Sequence, residues 1–247
     1  MPQEIGTALT YLRNTIVNHY GDLKIYSGDL FLNNESTNPI YLSIAWSGWG
    51  KVSSARAATR LIANKYKNIN ISALFFFGVA GAINTNLKQW DIILSTKLVQ
   101  HDMDARPIFK KYVIPTIKNK YLLADMNIVN WSFNQIQQAK SKGLLKNFNN
   151  VYNGLIATGD KFVSDNCEVE KLRNEFDDLL CVEMEGASVA QVATQEKVPW
   201  LIIRVISDNA NESSHQDFDK FIDIYKVKSS EIVMTLIKNI SSAPLSC

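Results

Sequence analysis

Three short stretches put polar chemistry where apolar runs come to an end. In VEMEG two carboxylates, Glu183 and Glu185, bracket Met184 just after the run LLCV. In IIRVISD, Arg204 is embedded among aliphatic residues and Asp208 stands at the exit. In FFFGVAG, glycines at 78 and 81 follow three phenylalanines. Carboxylates are seldom buried without partners. Strand alternation puts Ile202, Arg204, Ile206 and Asp208 on one face. Arg204 then needs a partner, and Glu183 on another strand is the natural one, so a structural buried ion pair is the favoured reading. For Asp208, a cap or turn for the NANESS segment weighs about as much as acid catalysis. Either glutamate alone suits the start of a helix, worth a few tenths of a kcal/mol to about 1 kcal/mol. That account explains less well why two carboxylates sit beside two other unusual strand ends.

Other motifs are weaker. GVAG (Gly78–Gly81) lets backbone approach a ligand, yet it is neither GxGxxG nor a P-loop, and a packing turn is the simpler reading. In SGWGKV, Gly48 and Gly50 permit a tight turn, with Trp49 as core or pocket wall. HDMD (101–104) reads as a hydrogen-bonded turn. His19, His101 and His215 share no metal-ligand spacing, so neither metal nor cofactor is expected.

The elements that must position these residues follow from periodicity. Residues 2–19 carry Ile5, Leu9, Leu12 and Ile16 at helical spacing. DLKIYSGDLFL and PIYLSIAW predict an antiparallel pair of strands. Residues 51–66 predict a helix, ISALFFF a doubly buried strand, GVAGAIN a glycine-rich loop and DIILSTKLVQ a strand. Residues 105–119, with Pro107 and Pro115, should be irregular. Further on come a helix over 120–141, a strand at GLIATG, a helix over 165–176, a strand at LLCVEME, a helix at GASVAQVATQ, a strand at PWLIIRVISD and a closing amphipathic helix. Strands alternating with helices from about residue 40 argue for an α/β fold with a mixed, partly parallel sheet between helical layers, in one domain spanning 1–247. Ligands gather at the carboxyl ends of such strands.

Bulk properties agree with an ordinary globular protein: 247 residues, 46% hydrophobic, 20% charged. A net charge of +2 with scattered lysines argues against a nucleic-acid partner. FFFGVAGAI is too short to span a membrane, and no secretion signal is expected. Cys167, Cys181 and Cys247 are odd in number and far apart, which points to a reducing, cytoplasmic setting.

Taken in order, SGWGKV, FFFGVAGAINTNLKQWDIILS with HDMD, ATGDKFV, VEMEG and IIRVISDNA…SHQDF resemble the purine nucleoside phosphorylase superfamily over nearly the whole chain. Within it they look most like 5′-methylthioadenosine/S-adenosylhomocysteine nucleosidases. The resemblance implies a three-layer α/β/α fold and hydrolysis of the bond between adenine and a 5′-thio-substituted ribose. It makes Asp208 the general acid toward purine N7, with a pKa that burial or substrate must raise and with Ser207 orienting it. Glu185 binds the ribose hydroxyls. Met184 packs beneath the sugar, and Glu183 shapes the site. Glu4, in MPQEIG, is the general base for water. Phe162 stacks on adenine, and Val163 reads the purine edge through its backbone. Val79, Ala80 and Gly81 line the ribose and water region. Trp49, Met1 and Ile108 lie near the 5′ substituent, in a pocket that a second subunit of a homodimer completes. The family's first strand, just before its Met-x-x-Glu segment, is missing from this sequence. Trp49 replaces a smaller aliphatic residue, which admits another adenine nucleoside or a futalosine as substrate. A phosphate-dependent phosphorylase is the nearest alternative, disfavoured because Phe75–Phe77 stand where those enzymes carry an arginine. A catalytically weak nucleoside-binding homologue is the alternative of another class.

Overall fold

The computed structural model describes residues 8–32, 38–208, 210 and 214–245. Met1 and Glu4 lie outside the described residues.

After a helical turn at residues 8–11 the chain enters β1 (Arg13–Tyr20), β2 (Leu23–Leu30) and β3 (Ile40–Ala45), an antiparallel sheet in the order β1-β2-β3. The helix expected over 2–19 therefore gives way to a strand at Arg13. The reason is local. Tyr20 pairs with Leu23 across a two-residue turn in which Gly21 adopts φ 65°, a conformation glycine takes without strain. Ile16 and Val17 stay exposed, so the helical stripe has no core to bury itself in, and the ladder to β2 wins.

Helix α1 (Lys51–Ala63) follows, then β4 (Leu74–Ala82) and β5 (Ile92–Gln100). Here the GVAGA of the expected GVAGAIN loop is instead the second half of β4. Its glycines serve close packing: a Cβ on Gly78 would lie 1.9 Å from Arg204 Nη1. Next come β6 (Tyr121–Leu123) and α2 (Met126–Ser141). The residues just after 120 are thus a strand rather than the start of a helix, because Asp125 accepts from the Asn127 N–H at 2.8 Å and fixes the helix start there. The remaining elements are β7 (Val151–Thr158), α3 (Asn166–Glu175), β8 (Leu179–Glu183), α4 (Gly186–Gln195), β9 (Trp200–Asp208) and α5 (Ser214–Ile237).

The second sheet runs β6-β5-β7-β8-β4-β9, and a further β5–β9 pairing curls it back on itself. Pairings β4–β9, β5–β7 and β7–β8 are parallel, whereas β4–β8, β5–β6 and β5–β9 are antiparallel. The fold is therefore α/β with a mixed, partly parallel sheet, as expected. All nine residues of β9 are buried, which is why that strand reads as a nearly unbroken apolar run. Among the described residues the sheet is in two pieces, since β3 and β4 form no ladder with each other. A cavity of about 620 Å³ is lined by residues of both strands and reaches the strand ends that carry the carboxylates.

Gly78→Ala should force the buried Arg204 side chain out of its seat. Because breaking a buried ion pair costs about 3–5 kcal/mol, the variant is expected to unfold at a clearly lower denaturant midpoint than the parent chain.

Candidate active site

The two carboxylates of VEMEG have different partners. Glu183, at the end of β8, accepts from the Glu185 N–H (3.0 Å), from the Gly186 N–H (2.7 Å to Oε2) and from the Thr158 hydroxyl. It also pairs with Arg204. Thr158 in turn accepts from the Ala187 N–H at 2.8 Å. Glu183 thus supplies the anion at the start of α4, where unpaired N–H groups and the helix dipole favour it.

Glu185 stands at the cap position itself but makes no cap bond with its side chain. Its Oε1 accepts from the Gly50 N–H at 2.9 Å, and its Oε2 lies 3.7 Å from Arg204 Nη2. Burial, then the nearby charge of Glu183, push its carboxyl pKa up to about 7, against the pull of Arg204 and the Gly50 N–H.

Arg204 is buried to 1% exposure. Burial works against its charge, yet Glu183 and Glu185 together hold its pKa above the ordinary value. Its guanidinium lies 4.4 Å from the centre of the Phe76 ring. Gly78 leaves the room it needs.

Asp208 ends β9. A bulge between the pairs Ala80–Ile206 and Gly81–Asp208 breaks the alternation there. Asp208 Oδ2 bonds the Ser207 hydroxyl at 2.6 Å, and Oδ1 accepts from the Ala210 N–H at 2.8 Å. The second bond is the turn contact weighed at the outset, so Asp208 holds a turn as well as facing the cavity. Ser207 Oγ also lies 3.3 Å from the Ala80 carbonyl. The hydroxyl has one proton and two acceptors, an arrangement with two consistent states. With Asp208 ionised, the hydroxyl donates to Oδ2. With Asp208 protonated, Oδ2 donates to Ser207, which then donates to Ala80.

Gly81 pairs with Asp208 on one side and with Val182 on the other. Two strand spacings of about 4.8 Å therefore separate Asp208 from the strand leading to Glu185, a span of about 10 Å that suits a nucleoside. The same cavity is lined by Trp49, Val79, Ala80, Gly81, Phe162, Val163, Glu183, Met184, Glu185, Arg204, Ser207 and Asp208. Ile108 is not among its walls and is 82% exposed on this chain's surface.

Sequence reasoning placed the tight turn at SGWG but missed that it steadies Glu185. Gly50 takes φ 82° just before α1. The Lys51 N–H donates to Asp160 at 2.7 Å, while the Lys51 ammonium pairs with Asp102 at 2.6 Å. Asp102 also accepts from the Asp160 N–H at 2.9 Å. The acids of HDMD and ATGDKFV thereby fix the start of α1, and with it the N–H that holds Glu185. The signal was the acids themselves, but their partners are mostly backbone groups.

Residues 1–238 match the phosphorylase superfamily. The chain belongs to that superfamily. Among relatives of this phosphorylase superfamily chain, the 5′-methylthioadenosine/S-adenosylhomocysteine nucleosidase of Glaesserella parasuis serovar 5 (strain SH0165) is 32% identical over 240 residues, covering 97% of this chain and 96% of that protein. The crystal structure of such a nucleosidase from Colwellia psychrerythraea 34H, in complex with adenine, superposes with a TM-score of 0.84 at 27% identity, covering 100% of this chain and 95% of that one. The futalosine hydrolase of Helicobacter pylori strain 26695 superposes with a TM-score of 0.81 at 27% identity, covering 97% and 94%.

If ionised Glu185 engages a substrate, kcat/KM should fall as pH drops below about 7, where the carboxyl of the free protein takes up its proton. The Glu183→Gln variant removes a neighbouring negative charge that raises that pKa. Its acid limb is expected to move to lower pH by about one unit, as read in the pH profile of kcat/KM.

Proposed function

We propose that this chain hydrolyses the N-glycosidic bond of 5′-methylthioadenosine, S-adenosylhomocysteine or a related adenine nucleoside, releasing adenine and the (thio)ribose. The observation that carries the proposal is the seating of two carboxylates with different duties, Glu185 and Asp208, on the walls of one cavity. The relatives named above support the substrate class.

In this reading Glu185 accepts hydrogen bonds from the ribose hydroxyls, with Met184 under the sugar and Val79, Ala80 and Gly81 beside it. Phe162 stacks on the base, and the backbone of Val163 meets the purine edge. Asp208 gives its proton to purine N7 as the bond breaks, and Ser207 reorients toward the Ala80 carbonyl in the protonated state. Positive charge developing on the sugar is favoured by the acidic surroundings. Glu4, outside the described residues, serves as base for the attacking water, with Met1 near the 5′ substituent. Arg204 and Glu183 form the frame on which Glu185 rests. The chain works as a single domain in the cytoplasm, without cofactor. Ile108, which does not line this chain's own cavity, completes the 5′ pocket of a second copy in a homodimer, beside Trp49.

Water rather than phosphate as nucleophile is supported by the cations at the cavity. Arg204 is held by Glu183 and Glu185, and Lys161 pairs with Glu168 at 2.5 Å. Outside the cavity lining, Arg56 pairs with Asp22, and Arg60 lies over the ring of Tyr20. Because the chain is similar to a futalosine hydrolase, a substrate panel should include futalosine beside methylthioadenosine, adenosylhomocysteine, adenosine and inosine.

Incubation with methylthioadenosine should release adenine and free methylthioribose at a rate indifferent to phosphate. Formation of the sugar 1-phosphate would overturn the hydrolytic reading. Asp208→Asn should lower kcat by about 10³-fold with an unchanged circular dichroism spectrum, and near-parental turnover would remove Asp208 from the mechanism.

A further inference from the structure

Helix α1 has no cap of its own. Gly50 stands at its cap position with no side chain to offer, and the first turn holds no acidic residue. Lys51 opens the helix instead, a cation at the end where anions are favoured. Both needs are met by residues distant in the chain. Asp160, just past β7, accepts from the Lys51 N–H at 2.7 Å, engaging one of the four donors that a helix start leaves open. Asp102, just past β5, takes the Lys51 ammonium at 2.6 Å and accepts from the Asp160 N–H at 2.9 Å. The fit has no slack, since a Cβ on Gly50 would lie 3.0 Å from Asp160 Oδ1.

What this helix start presents to the site is the N–H of Gly50, which donates to Glu185 Oε1 at 2.9 Å. Glu185 lines the cavity, whereas Gly50 and Asp160 do not. Asp160 therefore reaches the site only through that main-chain donor. The body of α1 is held separately: the hydroxyls of Ser54 and Ser188, both buried, lie 2.6 Å apart between α1 and α4. Loss of the Asp160 carboxylate then loosens the first turn of α1 and leaves the helix docked. The groups that act on the Glu185 carboxyl are Glu183 from β8, Arg204 from β9 and the N–H groups of Gly50 and Met184. Of these, only the Gly50 N–H comes from the start of α1.

We propose that Asp160 is a positioning residue for Glu185: steadied by Asp102, it fixes the start of α1 so that the Gly50 N–H holds the Glu185 carboxylate toward the ribose hydroxyls. The sugar contact rests on the nucleosidase reading above, and the control of Glu185 by Asp160 does not.

The test compares the parent chain with Asp160→Ala and Asp160→Asn. Both remove the same charge, but Asn keeps an oxygen for the Lys51 N–H and is among the better caps. Glu185 is titrated in the ligand-free protein by NMR of isotope-labelled glutamate carboxyls, its signal assigned by its loss in Glu185→Gln. A hydrogen bond to a carboxylate favours the charged form, so Glu185 should titrate at a pH about half a unit or more higher in Asp160→Ala than in Asp160→Asn. At neutral pH, kcat/KM for methylthioadenosine should fall about tenfold in Asp160→Ala and less than about threefold in Asp160→Asn. Adenine, which lacks the sugar, should bind all three proteins alike in calorimetry. Equal titration of Glu185 in the two variants overturns the proposal. So does a loss of adenine affinity in Asp160→Ala alone, the mark of general damage to the site. If Asp160→Ala does not fold, Lys51→Pro is compared with Lys51→Gln. Proline suits a first helical position but lacks the N–H that Asp160 accepts, so Glu185 should again titrate higher in the proline variant, and equal titration overturns the proposal. A parent chain that leaves methylthioadenosine intact while the Glu185 titrations differ as expected counts against the nucleosidase reading alone.

Discussion

The contact on which the site depends is the buried pairing of Arg204 with Glu183. A guanidinium at 1% exposure is tolerable only with its charge matched. Glu183 supplies the match while also accepting from the first N–H groups of α4 and from Thr158. One carboxylate thus ties β9, β8, β7 and α4 together. Glu185, two residues on, is left with its own anchors and a raised affinity for a proton. The opposition between a fully engaged and a partly engaged carboxylate two residues apart is the chemical content of VEMEG.

Around that contact the molecule follows a common α/β logic. Parallel and antiparallel strands bring their ends to one place, and glycines admit what must come close. Gly78 accommodates the arginine. Gly50 permits the turn from which α1 presents one N–H to Glu185 and the next to Asp160. Membership in the phosphorylase superfamily is what this architecture would suggest, and the carboxylates at the strand ends are where such a sheet binds its ligands.

Much of this was legible in the sequence. β8, α4 and β9 follow from an apolar run, a small-residue helix and a second apolar run, and the odd polar residues within them marked the site. The helix expected at 2–19 failed because Leu9, Leu12 and Ile16 happen to fall at helical spacing while Gly21 and Asp22 set a hairpin that the spacing does not encode. GVAGAIN was read as a loop because glycine is common in turns, whereas here it makes room for Arg204 within a strand. Either glutamate suited the start of a helix, but that Glu183 rather than Glu185 serves as the anion at α4 was hidden because its partners are mainly backbone N–H groups, which every sequence has. Ile108 was named through the resemblance, and one chain's cavity does not include it.

The tether from Gly50 to Glu185 has a consequence for molecular discrimination. With Oε1 already engaged by a fixed main-chain donor, Oε2 is the oxygen with most capacity left for a ligand. Under the proposed ribose contact, a sugar that lacks the matching hydroxyl leaves that oxygen with only its 3.7 Å pairing to Arg204. Sites built in this way reject deoxy analogues far more strongly than pockets that sort by size, so on the proposed ribose contact selectivity falls to the oxygen that the backbone leaves unclaimed.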